Sequence, residues 1–148
     1  MASSCRVAAL RFLKIRPRSV EEMRDKLSSK GYETSEVAAT LEYLKEISLL
    51  NDRAFTASWI QYRLARPFGF RRIIVELKQK GIAEDIIASA VAQAKEEFSE
   101  PDQAMQLGLR RAERLGSIDP QKKKKRISDY LLRRGFPVDV VIKVIKNI

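Results

Sequence analysis

Histidine does not occur in this chain of 148 residues, and cysteine occurs once, at Cys5. The first absence removes the commonest general base and the commonest zinc ligand. A single thiol supplies neither an internal disulfide nor a metal cage, and a chain without disulfides fits a reducing compartment. The six glycines are scattered, so neither a G-x-x-x-x-G-K-S/T nor a G-x-G-x-x-G phosphate loop can be written from them. No apolar run approaches the ~18–20 residues that cross a bilayer, so no membrane association is expected. Carboxylates remain as conceivable catalysts, but 19 acids stand against 29 basic residues and read as solvated partners of those cations. With the usual equipment of an active site missing, the sequence reads as non-enzymatic, with no metal and no cofactor.

What the chain has in excess is positive charge. Its net charge of +10 favours a polyanionic partner, either nucleic acid or an acidic protein surface. The length suits an ordinary domain, and 45% hydrophobic residues are enough to build a core. The opening stretch MASSCRVAALRFLKIRPRSV has no acid before Glu21 and carries five basic residues and three serines. That composition suits an organellar transit peptide, but an internal repeat assigns the stretch to a first helix instead.

The repeat is seen by sliding the chain 50 positions along itself. Arg16 and Pro17 fall on Arg66 and Pro67, Leu27 on Leu77, Lys30 on Lys80 and Gly31 on Gly81. Downstream, Val37, Leu41 and Leu44 fall on Ile87, Val91 and Ala94. Upstream, Cys5, Ala9 and Phe12 fall on Phe55, Trp59 and Tyr62. The i, i+4, i+7 spacing places each set on one helix face, read as a packing face. Phe55, Trp59 and Tyr62 are therefore read as core rather than as stacking platforms for unpaired bases. A third copy places Met105, Leu109 and Ala112 in the same register, whereas Leu131, Gly135, Val141, Ile145 and Ile148 are displaced by 54 from the second copy. Four extra residues must lie in GSIDPQKKKKR.

Each copy reads as three helices. First helices are predicted over about 5–16, 52–66 and 101–115, second helices over about 19–30, 70–80 and 122–134, and third helices over about 34–47, 83–97 and 138–147. Asn51–Asp52 and Ser99 suit N-caps, Ser19 with Glu22 makes a capping box, and Gly31, Gly81 and Gly135 suit the left-handed position after a helix. Nothing reads as a strand. The expected fold is all-α: three tandem three-helix repeats, residues 1–50, 51–98 and 99–148, in an elongated array.

Charge is unevenly placed within this scheme. The third-helix segments, 34–48, 83–98 and 137–148, hold four of the 29 basic residues and eight of the 19 acids. Each second helix, Gly turn and third helix resembles a helix-turn-helix. The third helices, however, begin with Glu36, Glu84–Asp85 and Asp139, which suit the helix dipole but repel phosphates, so base reading there is disfavoured. Contact with an anionic partner falls instead to the first and second helices. In the middle repeat the candidates are Arg63, Arg66, Arg71, Arg72, Lys78 and Lys80. In the last, which nets +6 against +2 for each of the others, they are Lys122, Lys123, Lys124, Lys125, Arg126, Arg133 and Arg134. The run KKKKR opposes the dipole of the helix it opens. It reads as a phosphate-binding patch, a nuclear signal or a solubilising helix start.

Arg16, Arg18, Ser19, Leu27, Lys30 and Gly31, then Leu50, Asn51, Asp52, Phe55, Trp59, Ile60 and Arg63, stand in an order and spacing that resembles the RecX family of recombinase regulators. Gly69, Ile73, Glu76, Leu77, Lys80, Gly81 and Ile82 continue the pattern. The resemblance covers nearly the whole chain and is strongest over residues 9–94, with Asn51 standing where the family usually has an acid. It implies a monomeric cytoplasmic protein without catalysis that binds along the groove of the RecA–single-stranded DNA filament. There it would limit filament extension or favour disassembly, depressing ATP hydrolysis and strand exchange. The alternative from another functional class is a stand-alone helical DNA-binding protein acting independently of RecA; a nuclear interaction module comes third.

Overall fold

The computed structural model describes residues 3–148. Among them the backbone forms nine helices and no strand: α1 (Cys5–Ile15), α2 (Val20–Ser29), α3 (Thr34–Glu46), α4 (Asp52–Leu64), α5 (Phe70–Gln79), α6 (Glu84–Glu97), α7 (Glu100–Leu115), α8 (Pro120–Arg133) and α9 (Val138–Lys146). The architecture is all-α, with three successive three-helix repeats.

Local chemistry accounts for the helix ends. Ser4 accepts from the Val7 amide, Asn51 from Ala54 and Ser99 from Asp102, each side chain satisfying an N–H that the first turn leaves unpaired. Ser19 and Glu22 form the reciprocal capping box, both hydrogen bonds being 3.1 Å. α3 begins one turn after Gly31 at Thr34 itself, and its cap residue, Glu33, makes no side-chain hydrogen bond. The four extra residues of the last repeat are absorbed into α8, which has 14 residues where α2 and α5 each have 10. Four residues make roughly one more turn, so the helix starts at Pro120 rather than 122, capped by the Asp119 carboxylate on the Lys122 amide.

The chain divides into two compact units. The N-terminal one runs to Ser58 and includes Leu77–Ile87; the C-terminal one comprises Trp59–Glu76 and Ala88–Ile148. In the N-terminal unit Met23, Leu27 and Leu44 are wholly buried, with Val37, Leu41, Cys5 and Ala9 around them. α1 thus packs into the core of the first repeat. In the C-terminal unit Ile127, Leu131, Phe136, Val141 and Val144 form the corresponding cluster with Ala104 and Leu107.

One joint is built twice, once in each unit. In the N-terminal unit Ser19 Oγ donates to the Lys80 carbonyl at 2.7 Å, and the Val20 amide donates to the Asp52 carboxylate at 2.9 Å. In the C-terminal unit the Gly69 amide donates to the Arg134 carbonyl at 2.7 Å, and the Phe70 amide to the Glu100 carboxylate at 2.7 Å. Ser19 and Gly69 are 50 apart and Lys80 and Arg134 are 54 apart, the two offsets of the sequence repeat, whereas the carboxylates Asp52 and Glu100 are 48 apart, the longer glutamate serving from two positions earlier in register. In both places the start of a second helix is capped by the following repeat and sits against its Gly turn. Where Ser19 has a side chain to do this, Gly69 uses its backbone. A Cβ there would lie 2.3 Å from the Gly135 carbonyl oxygen, so only glycine allows the approach.

The first-helix faces depart from the i, i+4, i+7 register in the later repeats. Phe55 is buried, but Trp59 is half-buried and Tyr62 is 47% exposed; Thr56, Ile60 and Leu64 fill the core instead. In α7 the buried line is Ala104, Leu107 and Gly108, with Met105 half-buried and Leu109 exposed. The reason is steric and polar at once. Gly108 lets Val144 close onto α7, since a Cβ there would stand 2.6 Å from Val144 Cγ1. The indole N–H of Trp59 takes a polar partner near the surface, and its ring pairs with Tyr62 at 5.7 Å. In α9 the buried side chains are Val140, Val141 and Val144, while Ile145 is half-buried and Ile148, past the helix end, is 36% exposed.

Candidate functional site

The Gly69–Gly135 approach has a consequence for the basic residues of the C-terminal unit. It brings the α4–α5 connection, with Phe68, against the end of α8, with Tyr130, Arg133 and Arg134. Arg134 donates to the Arg66 carbonyl at 3.3 Å, and Arg72 to the Arg133 carbonyl at 3.4 Å. α7 closes the third side. The result is a cleft of about 560 Å³ lined by Arg63, Arg66, Arg110, Arg111, Arg114 and Arg134, with Phe68 and Tyr130 in its wall. A hollow of about 370 Å³ shares Phe68, Tyr130 and Arg134 with it and adds Arg72 and Arg133.

Aromatic rings hold these cations in place. The Phe68 ring takes the guanidinium groups of Arg72, Arg63 and Arg134 at 4.3, 4.7 and 5.0 Å. Tyr130 takes Arg111 at 5.0 Å and Arg134 at 5.2 Å, and Tyr62 takes Arg66 at 4.0 Å. Each contact of this kind contributes ~0.5–1 kcal/mol at exposed sites and more where water is excluded. It also ties down a side chain that otherwise roams through many rotamers. Three guanidiniums about one ring lie within roughly 10 Å of each other. At that spacing each pair repels by ~0.4 kcal/mol in bulk water and by more behind protein.

One carboxylate tempers this field. Glu76, with a 14% exposed side chain, accepts from Arg63 Nε at 2.7 Å and from Trp59 Nε1 at 3.1 Å. Its other oxygen lies 3.4 Å from Arg72 Nε, an ion pair without hydrogen-bond geometry. Glu76 therefore orients Arg63 and Arg72 together and fixes the indole.

The sequence-predicted residues do not all converge. Arg63, Arg66 and Arg134 line the cleft, and Arg72 and Arg133 the adjoining hollow. Arg71 is exposed on α5. Lys78 and Lys80 belong to the N-terminal unit, where Lys78 pairs with Glu84 at 3.8 Å and Lys80 with Glu22 at 3.3 Å. Lys80 is part of the joint there rather than of an open surface. Lys122, Lys124, Lys125 and Arg126 are exposed on the added turn of α8 and just after it, and Lys123 Nζ donates to the Gly116 carbonyl at 2.9 Å. None of these five lines the cleft. Sequence reasoning missed Arg110, Arg111 and Arg114, which share one flank of α7 through the spacing i, i+1, i+4 in LRRAERL. That spacing was the available signal.

Among the described residues no cluster of His, Cys, Asp and Glu is placed to hold a metal ion, and no helix is long and apolar enough to cross a membrane. Cys5 is a buried free thiol.

Three three-helix repeats, with an arginine-lined cleft in the C-terminal unit, define an all-α helical-repeat protein with a strongly basic site. Family models match each repeat in order: RecX first three-helix domain at residues 5–44, second at 51–91 and third at 99–145. The chain belongs to the RecX family of regulatory proteins. It is similar to regulatory protein RecX of Legionella pneumophila strain Corby, 32% identical over 142 residues, covering 95% of this chain and 92% of the relative. It is also similar to the RecX of Amycolatopsis mediterranei, 30% identical over 136 residues, covering 91% and 77%. The fold matches the crystal structure of RecX from Lactobacillus salivarius with a TM-score of 0.83 at 24% identity, covering 97% of this chain and 93% of that one.

Proposed function

We propose that this protein regulates the RecA recombinase by binding the RecA–single-stranded DNA filament, limiting its extension or promoting its disassembly and so depressing recombinase activity. The observation that carries the reading is the match of every repeat, in order, to its own RecX family model. The placement of basic side chains supports it. Arg66, Arg71, Arg72, Arg133 and Arg134 lie on second helices or the connections to them, and the third helices keep their acids. Weak contacts from several repeats to successive protomers and phosphates add to a usable affinity. The protein acts in the cytoplasm as a monomer, without catalysis and without a cofactor.

The test is ATP hydrolysis by preformed RecA–single-stranded DNA filaments, titrated with this protein at near-physiological salt. Hydrolysis declines at protein levels well below one per RecA, because few bound molecules act on many protomers. Unchanged hydrolysis, with tight binding to naked DNA in the same buffer, overturns the reading in favour of a DNA-binding protein that works without RecA.

A further inference from the structure

The cleft of the C-terminal unit holds more positive charge than its surroundings neutralise. Six arginines line it and no carboxylate does. Of the six, only Arg63 has an acidic partner, Glu76; among the described residues Arg66, Arg110, Arg111, Arg114 and Arg134 enter no ion pair. Nε of Arg111 is buried and has no hydrogen-bond acceptor. A donor in the wall of a cleft that no protein acceptor engages is one that an anionic ligand can use.

The rings decide which part of a ligand this cleft reads. Phe68 carries three guanidinium groups and Tyr130 two. Those ring faces are therefore occupied and offer little platform for a base. A cation–π contact uses none of a guanidinium's N–H donors, which stay available to pair with the oxygens of a phosphate two at a time. Because rings hold four of the six, Arg63, Arg66, Arg111 and Arg134, beforehand, binding loses less side-chain freedom than it would with free arginines.

We infer that the Arg63–Arg66–Arg110–Arg111–Arg114–Arg134 cleft is a binding site for neighbouring phosphoryl groups of a nucleotide ligand, recognised through its phosphates and not its bases. Two sources share this chemistry: successive phosphates of a single DNA strand, and the polyphosphate of a free nucleoside triphosphate. The inference deepens the filament reading by assigning this cleft to phosphates, and it can fail without that reading failing.

Trp59, the only tryptophan, reports on the cleft, since its indole shares Glu76 with Arg63. Its emission is followed while the full chain is titrated with oligothymidylate and, separately, with ATP. The same titrations are run on the R110Q/R114Q variant, whose replaced side chains are exposed and enter no ion pair; circular dichroism checks its fold. Saturable binding of either probe is expected, with affinity at least ~10-fold lower in the variant, as for loss of charge-assisted phosphate contacts. For oligothymidylate the slope of log affinity against log salt also shrinks by ~1.4, the share of two phosphate contacts on a single strand. Binding of oligothymidylate alone identifies the strand as the source, binding of ATP alone identifies free nucleotide, and mutual competition places both in one site. An affinity unchanged in the folded variant overturns the inference. So does no binding of either probe by the wild type, and RecA hydrolysis still inhibited by that protein would leave the filament reading standing. Binding lost in the variant, beside a wild type without effect on RecA, does the reverse.

Discussion

The carboxylate of Glu100, the first residue of α7, accepts the backbone N–H of Phe70, the first residue of α5, at 2.7 Å. A side chain from the third repeat thus caps a helix of the second. Burial pushes the Glu100 carboxyl above the usual range; the Phe70 amide and Lys95 pull it down, and Asp139 pushes it up again. An acid whose folded value is raised stabilises the fold most below its unfolded value, and that contribution is lost as pH rises through the raised one. E100Q keeps an acceptor for Phe70 and removes the charge. It should match or exceed wild-type stability at neutral pH and flatten the fall of stability with rising pH. E100A leaves the amide unpaired and should cost ~1 kcal/mol, as the loss of a cap does. Urea denaturation across the mildly acidic range separates the two.

Glu22 has the opposite sign. Burial pushes its carboxyl up but is outweighed by the hydrogen bond from Arg16 at 2.8 Å, the Ser19 amide and the charges of Lys80 and Arg16, so the net shift is downward. Its stabilisation is present above the ordinary carboxylate range and is lost as pH falls through the lowered value. E22A should cost ~1–2 kcal/mol by opening the capping box and releasing Lys80. The variant should also lose less stability than wild type when acidified. A wild-type acid profile in the variant would show that Glu22 is not the group that titrates.

Gly31 and Gly69 separate two kinds of glycine. Gly31 has φ of 91° and nothing within 4 Å of where a Cβ would stand, so G31A should cost only the ~1–2 kcal/mol of a left-handed residue. At Gly69 the added Cβ would meet the Gly135 carbonyl oxygen at 2.3 Å, and that neighbour is backbone. G69A should therefore destabilise more than G31A and disturb Trp59 emission, since the joint positions the cleft. Equal losses for the two, by thermal melts, would contradict the joint.

Charge reversals on α5 should divide by partner. Arg71 is exposed and enters no ion pair among the described residues, so R71E should weaken filament inhibition while leaving the melting temperature near that of wild type. In R72E a second carboxylate would face Glu76, which already holds Arg63. That variant should lose filament inhibition and also ~1–3 kcal/mol of stability. The reversal of Arg71, Arg72 and Lys78 together should abolish filament binding, and a folded triple variant that still inhibits RecA would refute this surface as the filament-facing one.

The sequence by itself determined the parts that depend on near neighbours. Helix spans were legible because apolar spacing, Ser19 with Glu22, Ser99 and the three turn glycines act within a few residues of one another. The four-residue shift between the second and third copies was legible too, and one added turn of α8 is its physical form. The RecX pattern was legible in the order of its residues from Arg16 to Ile82. Tertiary structure alone decided which face of α4 is buried, because Trp59 and Tyr62 carry enough apolar surface for a core but find cationic and carboxylate partners outside it. It also decided the cleft. Arg63, Arg111 and Arg134 are far apart in the chain and share no local period; the backbone contact of Gly69 with Gly135 brings Arg63 to Arg134, and the packing of α7 on α8 brings Arg111. Spacing along a helix encodes a face; only packing between helices says which faces meet.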